Sequence, residues 1–197
     1  MSERTMTLYG WLIFPLWLTL VAYWGLSAPA LKRAAGVRWI WWREIAVRLG
    51  FFALLVLALQ IAVAGHALPA AGRYEFNTST LAGLIGFALA ALGIALAIRA
   101  RAYLNRSCAT TTQTHDKAEL VTSGPYAWVR HPIYSGTLLA MLGSAIGQSA
   151  LWLLPLIVYG PHFIRSARSE EIYLSEQFPG RYRAYMQRTK MLLPFVL

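Results

Sequence analysis

Acidic residues are scarce in this chain: eight aspartates and glutamates face eighteen lysines and arginines, for a formal net charge of +10. Cysteine is scarcer still. The single Cys108 excludes an internal disulfide and offers no metal cluster, so it reads as a reduced, structural thiol. No His/Cys spacing suggests a metal site, and neither a G-x-G-x-x-G run nor a P-loop is present. Charge of either sign is low, at 13% of residues against 57% hydrophobic, and the mean hydropathy of +0.48 argues against a soluble domain. The basic residues cluster at the ends of apolar runs. Anionic headgroups and the positive-inside rule account for them there, and nucleic-acid binding is not expected. At 197 residues the chain is one domain, or a domain with a tail. Its eight tryptophans and ten tyrosines suit lipid–water boundaries.

Four stretches carry no charge. Leu8 to Leu31, Leu49 to Gly72 and Phe76 to Ile98 are each long enough to cross a bilayer, which takes about 20 apolar residues. Ala28-Pro29-Ala30 resembles a signal-peptide cleavage site, but the apolar region is too long and Lys32 and Arg33 follow at once. We therefore read a retained first helix with a kink at Pro15. Lys32, Arg33, Arg38, Arg43 and Arg48 form a basic loop with Trp39, Trp41 and Trp42, and Arg99, Arg101 and Arg106 follow the third stretch. The link between the second and third stretches carries only Arg73 and Glu75. This bias puts the N-terminus outside and the central loop in the cytoplasm. Gly83, Gly86 and Gly93 recur at near-helical spacing, which reads first as close helix packing.

The fourth stretch, Pro132 to Ile164, would span roughly 50 Å as one helix, too long for one upright crossing and short for two full ones. Gly147-Gln148-Ser149 lies near its middle as a turn signal, with Pro155 and Gly160-Pro161 as further breaks. A tight helical hairpin returns the basic tail (Arg165, Arg168, Arg181, Arg183, Arg188, Lys190) to the side of the central loop, as the charge rule asks. The expected fold is thus an all-α integral membrane protein with about five transmembrane helices. Residues 1–98 hold three N-terminal helices, and residues 99–197 hold a cytoplasmic loop (99–135), the hairpin (136–164) and a helical tail (165–197). In the tail, Ala167, Glu171, Leu174 and Phe178 share one helical face, and Phe178-Pro179-Gly180 stops that helix. A second amphipathic piece with Tyr182, Tyr185 and Met186 should lie on the membrane surface or cap the loop.

The loop gathers the chemistry. Leu120 to Gly136 reads LVTSGPYAWVRHPIYSG, punctuated by Gly124-Pro125 and His131-Pro132, which force turns. Between them stand Tyr126, Trp128, Arg130, His131 and Tyr134: ring faces, a fixed cation and one titratable imidazole. That composition suits a small, charged, aromatic ligand.

This stretch, followed by RSEEIYLSEQFPGRYRAY in the tail, resembles the isoprenylcysteine carboxyl methyltransferase family, and more widely the membrane methyltransferases that include phospholipid N-methyltransferases. The resemblance covers roughly Arg99 to the C-terminus. It implies a cytoplasmic S-adenosylmethionine site contacted by Tyr126, by His131, Pro132, Ile133 and Tyr134, and by Glu170, with the backbone of Leu120 and Val121 contributing. Gln113 matches a cofactor-contacting glutamine if a short gap is allowed. The family usually has histidine where this chain has Ala118, and His115 lies three residues earlier. An arginine just before the EE pair is associated with the acceptor group; Arg168 and Arg165 both qualify, and the spacing does not choose between them.

The residue chemistry is compatible with that ligand. Glu170 can pair with its positive groups, Arg130 or His131 can meet its carboxylate, and aromatic faces suit adenine and the sulfonium. Methyl transfer is an in-line displacement that depends on positioning and desolvation, so an acceptor carboxylate needs no general base, whereas an amine would. Glu170 and Glu171 lie about 100° apart on a helix, so both should not face one pocket, and Glu171 with Arg168 at i,i+3 reads as a surface ion pair. His66 and His162, beside apolar runs, read as packed or interfacial. The expected function is methyl transfer to a lipophilic acceptor that arrives sideways from the lipid. A carboxylate is the first candidate and an aminophospholipid the second; a nicotinamide-dependent membrane reductase with a similar RHPxY loop is the rival from another class.

Overall fold

A computed structural model of the chain describes residues 7–34, 79–113 and 120–192. The expected second span, the basic loop before it and the Ala118/His115 region lie outside the described residues. Among the described residues there are five α-helices: α1 (Leu8–Ala34), α2 (Thr80–Gln113), α3 (Pro132–Gly147), α4 (Leu153–Gln177) and α5 (Arg181–Arg188). Short 3-10 turns occupy Gly124–Ala127 and Ala150–Trp152. There is no strand among the described residues, only one isolated bridge between Val129 and Lys190. Leu8–Ser27 and Thr80–Arg106 are long and apolar enough to cross a membrane, and Pro132–Gly147 is apolar but shorter. Large apolar side chains face outward along these helices, among them Leu18, Leu81, Leu92, Ile157 and Val158. That is the surface a lipid environment accepts and water does not.

The centre of the bundle is the contact of α2 with α3, which is made by backbone. Gly86 lies against Gly143 and Gly147, and Gly93 against Gly136 and Ala140. A Cβ added to Gly143 would stand 2.5 Å from the Ala90 nitrogen, and one on Gly93 would overlap the Gly136 carbonyl oxygen. Small residues permit this approach, and dispersion between two closely packed helices rewards it where lipid gives no hydrophobic drive. α1 joins this pair through Ile13, Trp17 and Leu20, which are buried with Ala90, Ile94, Ala140, Met141 and Trp152.

The hairpin turn falls at Gly147-Gln148-Ser149, where the sequence places it, and polar side chains inside the bundle hold it. Buried Gln148 donates to the Gly10 carbonyl (3.0 Å) and accepts from Trp152 Nε1 (2.7 Å), so both ends of its amide are satisfied. Trp152 stacks on Trp17 (5.0 Å between ring centroids), and the Trp17 indole donates to Ser144 Oγ at 3.0 Å. These contacts tie α1 to both arms of the hairpin.

Two expected boundaries move. The loop expected from residue 99 is helical as far as Gln113, because Arg99, Ala100, Arg101, Ala102 and Leu104 are good helix formers and neither glycine nor proline interrupts them. Gly160-Pro161 does not break the second hairpin arm; Pro161 sits inside α4, which runs unbroken from the apolar arm into the tail. A proline forfeits one intrahelical hydrogen bond, and the packing at Phe163 and Ala167 on either side of the arm's end is enough to keep the helix going. Phe178-Pro179-Gly180 ends α4 as expected, with Gly180 at φ 76°.

Two outcomes test this packing. Gly93→Leu should abolish the cooperative thermal transition in detergent, since overpacking alone costs about 1–3 kcal/mol and here the obstacle is backbone. Gly25→Ala, whose Cβ meets nothing within 4 Å, should leave the transition unchanged. Gln148→Leu strands the Trp152 N–H and the Gly10 carbonyl and should cost about 2 kcal/mol in the same melt.

Candidate functional site

The site is built where the loop between α2 and α3 meets the end of the chain. Gly124, at φ 63°, starts the 3-10 turn, and the Tyr103 ring of α2 packs where its side chain would be; the Tyr103 hydroxyl and Ser123 Oγ are 2.7 Å apart. Pro125 and Tyr126 are buried by the turn. Beyond it the chain lies beside residues 190–192. Val129 bridges to Lys190, Arg130 N–H donates to the Lys190 carbonyl (2.8 Å), and His131 N–H donates to the Met191 carbonyl (3.1 Å). Ser135 Oγ donates to the Leu192 carbonyl at 2.6 Å, and the Tyr185 hydroxyl donates to the Tyr126 carbonyl at 2.5 Å. α5 and the residues after it therefore act as a strap over the loop.

Under the strap lies a compact charge cluster. Arg130 Nε donates to Glu171 Oε1 at 2.6 Å, and its Nη1 donates to the carbonyls of Met186 (3.2 Å) and Thr189. The His131 ring stands between two carboxylates, with Nδ1 3.3 Å from Glu170 Oε2 and Nε2 3.3 Å from Glu171 Oε1. The Tyr134 hydroxyl donates to Glu170 Oε1 at 2.5 Å, and its ring stacks between His131 (5.7 Å) and Phe163 (4.9 Å). Burial by itself would favour the neutral imidazole, but hydrogen bonds to Glu170 and Glu171, and then their charges, outweigh it and raise the His131 pKa above 6.5. Burial likewise works to raise Glu171, yet hydrogen bonds from His131 and Arg130 and their charges hold it below 4.5. Burial, followed by the nearby Glu171 charge, pushes the Tyr182 phenol up; burial does the same to Tyr185. The Tyr182 hydroxyl is enclosed without a hydrogen-bond partner among the described residues.

This corrects the expectation for the EE pair. Glu171 is not in a surface ion pair with Arg168: it is buried against Arg130 and His131, while Arg168 is exposed. The 100° between adjacent helical positions still holds, but the two nitrogens of one imidazole bridge it, so both carboxylates serve one cluster. Two nitrogens of the Arg130 guanidinium, Nε and Nη1, are engaged with Glu171 and with two carbonyls.

The remaining expected residues fall as follows. Leu120 and Val121 are half-buried at the start of the described loop, and Tyr126 is buried. Pro132 is buried as the first residue of α3, with Ile133 half-buried beside it. Gln113 ends α2, and its side chain lies outside what is described. Arg165 and Arg168 are both exposed on α4. Arg168 borders an open groove of about 520 Å³ that it shares with Glu171, Ile172, Ser175, Glu176 and Met186. That groove lies on the α5 side of α4, away from the Tyr134–Phe163 stack. Sequence reasoning missed Glu171, Ser135 and Phe163. A signal for Glu171 existed: an acid on the same helical face as Ala167 and Leu174 must be buried, and a buried carboxylate needs partners.

Comparison with known proteins agrees with this geometry. Residues 81–181, just over half the chain, match the family described as phospholipid methyltransferase. The chain is 28% identical over 149 residues to a probable protein-S-isoprenylcysteine O-methyltransferase of Oryza sativa subsp. indica, covering 72% of this chain and 76% of that one. A protein-S-isoprenylcysteine O-methyltransferase of Schizosaccharomyces pombe is 34% identical over 79 residues (39% of this chain, 34% of that one). The cobalt-zinc-cadmium resistance protein CzcN of Cupriavidus metallidurans is 32% identical over 111 residues, 54% of this chain and 48% of its own. No solved structure matches the chain with significance. The matched segment runs from α2 through the loop, the hairpin and the EE pair, and the chain belongs to the phospholipid methyltransferase family of membrane methyltransferases, with relatives of the isoprenylcysteine type.

Proposed function

We propose that this enzyme carries a methyl group from S-adenosylmethionine to a lipophilic acceptor whose attacking atom is already free of a proton, in the first place a carboxylate. The observation that carries this reading is the state of His131. Both of its ring nitrogens are directed at carboxylates, Nδ1 at Glu170 and Nε2 at Glu171, so neither faces an acceptor, and the same carboxylates raise its pKa above 6.5. Glu171 is held ionised by Arg130 and His131, as the weakest of bases. Within the described cluster neither His131 nor Glu171 is free to act as a general base, and Glu170 is assigned to the cofactor; an ammonium acceptor requires a base and a carboxylate does not.

The donor set suits the cofactor. Glu170 keeps 27% of its side chain open at the edge of the cluster, so its carboxylate can meet an ammonium or ribose hydroxyl while Tyr134 and His131 orient it. Tyr126, Tyr134 and the backbone from Leu120 would hold the rest. When bound, the cofactor supplies an electrophilic methyl on a sulfonium. The protein would contribute alignment and a dry site, with exposed Arg168 or Arg165 turning toward the acceptor oxygen from α4. The phospholipid-amine reading keeps the support of the matched family's description. The charge bias favours the N-terminus outside and the site in the cytoplasm, since the basic residues after Ile98 and those of the tail would then share one side.

The acceptor is tested by the pH–rate profile of purified enzyme with S-farnesyl-mercaptopropionate and with phosphatidylethanolamine. A carboxylate acceptor should give rates flat from about pH 6 upward, because it is ionised throughout. A rate on the amine that climbs about tenfold per pH unit, with no rate on the carboxylate, would reject our reading. Glu170→Ala should weaken S-adenosylhomocysteine binding in calorimetry by about tenfold or more, whichever acceptor is right.

The cluster also sets a stability window. His131 is raised on folding, so its contribution is complete below its unfolded value of 6.5 and disappears as pH rises through the higher folded one. Glu171 is lowered, so its contribution is complete above 4.5 and disappears as pH falls through the lower folded value. The melting temperature should therefore decline on the alkaline side of the His131 transition, and His131→Gln should flatten that limb and also shrink the acid one, because the hydrogen bond from His131 is the foremost influence holding Glu171 low.

A further inference from the structure

The buried cluster leaves an uncompensated surface outside it. From Arg165 to Leu192 the chain carries six cations (Arg165, Arg168, Arg181, Arg183, Arg188, Lys190) and three acids (Glu170, Glu171, Glu176). Glu170 and Glu171 are held by His131, Arg130 and Tyr134, so Glu176 is the single exposed acid beside six exposed cations. α5 leaves Arg181, Arg183 and Arg188 exposed around its buried Tyr182 and Tyr185, and exposed Lys190 follows. None of these four side chains makes an ion pair or hydrogen bond with another described residue.

The strap determines where this charge sits. The Val129–Lys190 bridge brings Lys190 beside the loop at Trp128, whose indole is 75% exposed. Three residues after Val129 the apolar helix α3 begins, and Ser135 in its first turn holds the Leu192 carbonyl. An open Trp128 and Lys190 thus stand beside the start of the apolar run, with the exposed arginines of α5 on the strap that leads to Lys190. Tryptophan is the residue of the lipid–water boundary, and free lysine and arginine at that depth attract anionic headgroups.

We propose that this edge, Trp128 with Arg181, Arg183, Arg188 and Lys190, rests on the headgroups of anionic phospholipids. The lipid surface then presses the strap onto the loop from outside, while Arg130 and Ser135 hold it from within. This interaction is independent of which acceptor is methylated, and its test needs no turnover. The full chain is placed in nanodiscs of phosphatidylcholine, with or without phosphatidylglycerol, and amide hydrogen exchange is followed over residues 181–192. Exchange should be about tenfold slower with phosphatidylglycerol, an effect that raised salt reverses. The combined Arg181→Gln, Arg183→Gln, Arg188→Gln and Lys190→Gln variant should lose it, with exchange in α2 and α3 unchanged as the check on folding. Trp128→Ala should reduce it. Equal exchange of the wild-type strap in the two lipids would overturn the proposal. So would equal slowing by heparin or an oligonucleotide added to neutral nanodiscs, which would mark a general polyanion site instead.

Discussion

The ionisable cluster under the strap sets the terms for the rest of this half of the molecule. Arg130 and the His131 imidazole face Glu170 and Glu171, and all of them but the partly open Glu170 are largely taken from water. Burying a lone charge costs several kcal/mol, and removing one partner from such a set costs about 3–5 kcal/mol because the others are left unmatched. The cluster therefore binds three separated pieces of chain to a single geometry: the loop at 130–131, the far end of α4 at 170–171, and the carbonyls of 186 and 189. Tyr134 gains its orientation from the same set, since Glu170 receives its hydroxyl while His131 and Phe163 close on its ring.

α4 carries this arrangement into the apolar region. Its 25 residues run roughly 38 Å without a break, from Leu153 and Leu154, exposed beside the hairpin turn, to Gln177 past the EE pair. Phe163 on that rod touches Tyr134, so the last buried aromatic of the membrane-facing core is also a wall of the charged site. At the opposite end, Gln148, Trp152, Trp17 and Ser144 lock the hairpin turn to α1. Between these two polar locks the backbone contact of α2 with α3 leaves no space for adjustment, which makes the bundle a rigid support for the loop that joins them.

Much of this was legible in the residues. The hairpin turn at Gly147-Gln148-Ser149, the stop at Phe178-Pro179-Gly180 and the close packing at Gly86 and Gly93 each follow from local chemistry that needs no partner to be read. The loop stands out in the sequence because His131-Pro132 and Gly124-Pro125 concentrate ring faces and charge between two turns, and the structure gathers Arg130, His131 and Tyr134 from it around Glu170 and Glu171. The continuation of α2 to Gln113 was misread because arginines were taken as the end of a membrane segment, when they end only its apolar part and suit a helix well. The unbroken passage through Pro161 was misread because a proline's local cost is visible in sequence and the packing that offsets it is not.

The sequence by itself determined the class: apolar runs of bilayer length, charge gathered at their ends, and a pair of motifs with the resemblance they carry. Those are properties of composition and spacing along the chain. Only the tertiary structure decided what each charged group does. Arg130 turns out to tie Glu171 to the strap, Glu171 to be interior and His131 to stand between two carboxylates, because the role of an ionisable group depends on what surrounds it in space. The partners here come from positions forty to sixty residues apart, brought together by α4 and the strap.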